Sequence, residues 1–202
     1  MIPEELNKIF ETFYEDELDI SITKVEFCEN ILTIDFTLTS ISTEEEVAEN
    51  DKRWTMQTVG HKKNKISFDK GSDIRIEEDH PLLWEFKDIQ CELYFNGQGP
   101  NPDKLHFELY KLHFGLFRNY IPAETYFNAW YSYDLLKANN GLLARGPKRL
   151  LMKYAECLQN NGVDFSILDG RTKPENNPIV LSMEDTDTYI IAEDFSFWRQ
   201  TI

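Results

Sequence analysis

Four stretches of the 202-residue chain combine residue types able to do chemistry. Glu77-Glu78-Asp79-His80 sets three carboxylates beside an imidazole, able to hold a hard cation or to run acid–base chemistry if a raised carboxyl pairs with His80. Adjacent strand residues point to opposite faces, so only Glu78 with His80, or Glu77 with Asp79, share a side. The favoured reading is a strand-end turn: Asp79 bonds nearby backbone, Pro81 ends the ladder, and Leu82, Leu83 and Trp84 enter the core. His106, Tyr110, His113 and Phe117 follow at spacings of 4, 3 and 4, one border of a helix with a chemistry of metal binding or proton shuttling. Two helical turns, roughly 10.5 Å, separate the histidines. They are therefore expected to be border residues with satisfied ring nitrogens rather than joint ligands.

The third stretch, Gly141 to Arg149, spaces two glycines five apart in the manner of a phosphate loop. Pro147 stands where the gripping lysine should follow, and no Ser or Thr is placed for magnesium. What remains is a basic spot, Arg145, Lys148 and Arg149, around a helix N-terminus that favours an anion or an acidic partner, with ordinary surface ion pairing as the default. The fourth is the aromatic cluster Tyr120, Tyr126, Phe127, Trp130, Tyr131 and Tyr133. Tyr126, Trp130 and Tyr131 are its candidate binding residues, on a segment read as part short helix and part loop, of which only one face can pack on a sheet. No catalytic residue is nominated, because no serine has a Gly-x-Ser-x-Gly setting. Cys28, Cys91 and Cys157 fit neither a disulfide framework nor a zinc spacing and are expected to be buried free thiols, so no metal and no cofactor is nominated.

The elements that must position these groups follow from patterning. Leu32, Ile34, Phe36 and Leu38 alternate with Thr33, Asp35, Thr37 and Thr39, a strand with one wet face that pairs with residues 20–28 through a turn at Glu29-Asn30. Short runs at 54–60, 65–69, 73–77 and 89–95 predict a meander continuing that sheet. Leu105, Leu109, Leu112 and Leu116 predict a helix capped by Asn101, and Leu150, Leu151, Tyr154, Cys157 and Leu158 a second helix between Pro147 and Gly162. A short N-terminal helix at 3–14 and strands at 163–168, 179–183 and 189–192 complete the pattern. Strands, then helices, then strands again predict an α+β fold: a mainly antiparallel sheet covered by two or three helices, one compact domain over 1–202, with a mobile acidic loop at 40–53. One continuous domain is preferred to two closely packed lobes.

The chain is 41% hydrophobic and carries a formal charge of −15, which sets a folded domain whose field repels phosphate backbones and anionic lipid. Nucleic acid and membrane are therefore not expected as partners, and a start without a basic, then apolar stretch points to the cytoplasm. Acidity with a dense aromatic segment and no catalytic motif predicts a protein-interaction module of inhibitor or immunity type that binds a basic protein. Two alternatives stay open. One is a small-molecule binder or hydrolase whose pocket between sheet and helices gathers Glu78, His80, His106 and His113; the other is a structural homodimer subunit.

Overall fold

Strict alternation in the sequence becomes a two-faced sheet. Leu32, Ile34, Phe36 and Leu38 point inward from β2 (Ile31–Ser40), while Thr33, Asp35, Thr37 and Thr39 remain partly or fully exposed. The structure, a computed structural model, describes residues 2–13, 17–41, 47, 52–97, 99–128, 136, 138, 140–170 and 177–200. Most of the acidic loop, along with Trp130, Tyr131 and Tyr133, lies outside the described residues. Among the described residues, four α-helices and eleven strands form an α+β fold whose three sheets are all antiparallel.

Contacts gather in two compact units: Met1–Asp79 with Pro178–Ile202, and His80–Asn177. The second unit interrupts the first along the chain. Charge divides unevenly between them. The second holds 11 acidic and 11 basic residues, so the whole −15 belongs to the first, with 25 acidic against 10 basic.

In the first unit, β1 (Leu18–Cys28) turns at Glu29, whose φ is 54°, and pairs with β2 in the expected hairpin. β3 (Arg53–Val59) joins β2, and β11 (Asp194–Arg199), a strand the sequence did not announce, joins β3. The expected meander stops there. β4 (Lys63–Lys65) pairs instead with β10 (Tyr189–Ala192), and β5 (Ile74–Glu77) with β9 (Ile179–Met183), giving a second sheet ordered β4-β10-β9-β5. These short runs find partners more than a hundred residues away because β9 and β10 bring the buried Val180, Leu181, Ile190 and Ile191 that the local neighbours lack. One core joins both sheets, centred on Ile20, Phe36, Trp54, Met56, Leu181 and Ile190, and α1 (Glu4–Thr12) docks on it through Leu6. Thr58 is buried within it at no polar cost, since its hydroxyl accepts from the Leu32 N–H at 2.9 Å.

In the second unit, β6 (Gln90–Asn96) lies between β7 (Asn140–Pro147) and β8 (Asp164–Asp169). Of two strongly marked helices, α4 (Lys148–Asn160) packs on all three strands and α3 (Pro102–Phe117) packs on α4, with a four-residue α2 (Trp84–Lys87) ahead of β6. Asn101 caps α3 as expected, its side chain accepting from the Lys104 N–H at 3.0 Å. The buried stripe of α3 is not the leucine row, however, but Leu105, Leu109, His113 and Phe117, spaced by four. Ridges of residues four apart are what helices commonly interdigitate, so Leu112 and Leu116 move to the border.

Candidate functional site

The second unit contains a cleft of about 570 Å³ at the end of its sheet where β6 begins and β7 and β8 finish. Three strands supply its walls in register. Glu92 of β6 faces Arg145 of β7 and Leu168 of β8, and the next row sets Cys91 against Gly146 and Asp169. Glu85 from α2 and the Thr125-Tyr126 turn complete the lining. Glycine is required at two of these places. A Cβ on Gly146 would sit 2.8 Å from Cδ1 of Tyr126, so the bare backbone is what lets that ring lie against β7. A Cβ on Gly170 would meet the Gln90 carbonyl oxygen at 2.2 Å, the atom that accepts the Gly170 N–H at 2.9 Å.

Two polar groups are built into the cleft. In one, Glu92 accepts from Arg145 Nε at 2.7 Å on one oxygen and from the Tyr94 hydroxyl at 2.7 Å on the other. The Tyr94 bond, and secondly Arg145, hold the Glu92 carboxyl below its ordinary range. In the other, Asp169 accepts from Lys148 Nζ at 2.8 Å and from the Cys91 thiol at 3.4 Å, and these donors, Lys148 foremost, lower its pKa. Burial pushes the Cys91 thiol up, away from the thiolate a nucleophile needs. The cleft is thus a place of fixed charge and hydrogen bonds, with three carboxylates in its lining, Glu85, Glu92 and Asp169, and two cations, Arg145 on Glu92 and Lys148 on Asp169.

Several residues singled out in the sequence meet here and others do not. Tyr126 and Arg145 line the cleft together, the Arg145 N–H donating to the Tyr126 carbonyl at 2.9 Å, and Lys148 reaches it through Asp169. Tyr126 is 7% exposed and Phe127 is equally buried, stacked on Tyr154 at 4.7 Å. A single 3-10 turn at Ala123–Thr125 leads into Tyr126, and Phe127 then bridges Ala144, so the short helix ends before either ring and both enter the core. The residues from Asn140 to Pro147 are likewise a strand, despite two glycines, because β6 on one side and residues 126–128 on the other pair with them. The anion expected at the following helix N-terminus is the chain's own: Asp88 accepts the Arg149 N–H at 2.6 Å.

The histidines hold other posts. His80 makes a local turn bond, its Nδ1 accepting from the Leu82 N–H at 3.2 Å, and Glu78 belongs to the first unit. His106 rests against Tyr110, 4.7 Å between ring centroids. His113 is no border residue: it is 3% exposed, with Nε2 bonded to the Ile121 carbonyl at 2.8 Å and Nδ1 to the Tyr154 hydroxyl at 2.6 Å. A hollow of about 330 Å³ beside the end of α3 does hold His113 and Glu124, but Glu124 accepts from Tyr110 and both His113 nitrogens are engaged, so no acid–base pair forms. No metal-ligand group of three occurs among the described residues. Of the thiols, Cys91 is buried and Cys157 half-buried, whereas Cys28, beside the turn of the first hairpin, is exposed.

Sequence reasoning did not single out Glu85, Glu92 or Asp169, and read Cys91 only as a buried free thiol. The alternation of residues 89–95 places Glu92 and Tyr94 on one face, but nothing local joins Glu92 to Arg145, 53 residues later. Comparison with models of protein families, with curated proteins and with solved structures finds no match, so the site is read from its own geometry.

Proposed function

We propose that the chain is a protein-interaction module whose cleft in the second unit receives a cationic side chain of a basic partner. The observation that carries this reading is a concave site bordered by the Tyr126 ring whose lining presents three carboxylates, Glu85, Glu92 and Asp169, the last two held in place by Arg145 and Lys148. A guanidinium or ammonium entering there gains charge-assisted hydrogen bonds and, where it meets the ring, a cation–π contact. The −15 of the first unit adds attraction at long range, raising the encounter rate of a basic protein at low salt. Within the cleft the raised thiol pKa of Cys91 disfavours its use as a nucleophile, and in the hollow beside α3 both ring nitrogens of His113 are engaged, which favours binding over hydrolysis at these two places.

The test is selection of a displayed random peptide library on the intact protein, followed by calorimetry of the enriched peptides. Enrichment of Lys or Arg at one fixed position is expected, with an affinity at least tenfold weaker for the Glu85→Gln, Asp169→Asn double variant, about 1.4 kcal/mol. Enrichment without a cation, or equal affinity for the folded double variant, overturns the reading.

A further inference from the structure

We propose that the partner binds as an added strand on the outer edge of β8, an extended basic segment whose cationic side chain then enters the cleft; this rests on the interaction reading above. β8 is an edge strand of the β7-β6-β8 sheet and pairs only with β6 among the described residues. Its phase follows from one bond. The Gly170 N–H donates to the Gln90 carbonyl, so Gly170, Leu168, Ser166 and Asp164 turn their backbone groups toward β6. In an antiparallel ladder the alternate residues face the other way. Phe165, Ile167 and Asp169 therefore present their N–H and C=O groups outward, as a template for another strand.

Natural edges of this kind are blunted by lysine, proline, a bulge or a cover. β8 has none of the first three: its sequence is Asp-Phe-Ser-Ile-Leu-Asp and its register with β6 is unbroken. It also exposes apolar side chains on both faces, Phe165 at 36% and Leu168 at 55%. A strand laid along it would cover both, and alternate side chains of the incoming segment would pack beside each. The cleft adjoins this edge without interruption, because Leu168 and Asp169 belong to both and Gly170, which follows them, also lines the cleft.

Charge selects the occupant. β8 carries two carboxylates, Asp164 and Asp169, and leads into a cleft with Glu85 and Glu92, so four carboxylates line this path against two cations, Lys148 on Asp169 and Arg145 on Glu92. A second copy would bring the same two carboxylates and a further −15 to the contact. A segment with alternating β-branched residues and a Lys or Arg near each end meets both the edge and its charge.

Amide hydrogen exchange of the intact protein, followed by NMR, tests this with the synthetic peptide Lys-Val-Thr-Val-Thr-Val-Lys and with its analogue N-methylated on alternate residues. Protection is expected at the Phe165, Ile167 and Asp169 amides with the first peptide and not with the second, and Ile167→Lys should weaken binding at least tenfold. No protection at those amides overturns strand addition. If the peptide perturbs Tyr126 and Glu92 alone, only strand addition fails; if β8 is protected but Glu85→Gln with Asp169→Asn leaves affinity unchanged, only the cleft reading fails. Protection that grows with protein concentration in the absence of peptide identifies a second copy as the occupant and overturns the proposal.

Discussion

Replacing Tyr154 by Phe isolates the interaction that lets α3 bury a histidine. The Ile121 carbonyl only accepts, so Nε2 of His113 carries the proton and Nδ1 must accept from the Tyr154 hydroxyl, 2.6 Å away. Both side chains are sealed from solvent, His113 at 3% and Tyr154 at 0% exposure. Tyr154→Phe keeps the ring stacked on Phe127 and opens no ring-sized cavity. What it leaves is one buried acceptor without a donor, a loss of about 1–3 kcal/mol. His113→Ala strands both the Tyr154 hydroxyl and the Ile121 oxygen and removes the ring that lies 4.8 Å from Phe117, so about 3–5 kcal/mol is expected. Urea unfolding near neutral pH, followed by circular dichroism, measures both. Unchanged midpoint and slope for Tyr154→Phe would show that the bond contributes nothing and refute the argument.

The same pair fixes the sign of a pH effect. Burial, opposed by the Ile121 bond and by Glu124, holds His113 below its ordinary value of 6.5. The unfolded chain therefore takes up a proton near 6.5 that the folded chain resists, and the histidine's contribution, complete above 6.5, declines as pH falls below it. The stability of the wild type minus that of His113→Gln should be constant above 6.5 and narrow below it. A difference that widens on acidification contradicts the burial of a neutral ring.

Two glycines should respond in opposite directions. Gly146→Ala drives a Cβ to 2.8 Å from the buried Tyr126 ring and should cost about 1–3 kcal/mol, whereas Gly115→Ala meets nothing within 4 Å on the exposed side of α3 and should stabilise by about 0.5–1 kcal/mol. Both are read from thermal or urea unfolding. Under native conditions a disulfide reagent should modify the exposed Cys28 first, with Cys28→Ser abolishing the fast phase and Cys91 reacting only on unfolding. Removing the ammonium in Lys148→Met should return the Asp169 carboxyl toward its ordinary 3.8, observed by carboxyl NMR titration.

Local pattern determined a good deal of this protein by itself. The β1–β2 hairpin and both long helices were legible because their signals are short-range: the alternation of Leu32 to Leu38, a turn at Glu29-Asn30, Asn101 before Pro102, and Gly162 after α4. The α+β class follows from the order of such segments. Residue pairs far apart in the chain were not legible, since periodicity names a face but not what covers it. β4 and β5 therefore left the expected meander for β10 and β9, and β7 formed through two glycines because β6 supplied a ladder. His113 reads as a border residue until Tyr154 and Ile121, 41 and 8 positions on, satisfy both ring nitrogens and make its burial tolerable. The cleft was decided in the same way: Tyr126 and Arg145 are conspicuous in the sequence, but their carboxylate counterparts Glu92 and Asp169 are two of 36 acidic residues until antiparallel register sets one opposite Arg145 and the other opposite Cys91.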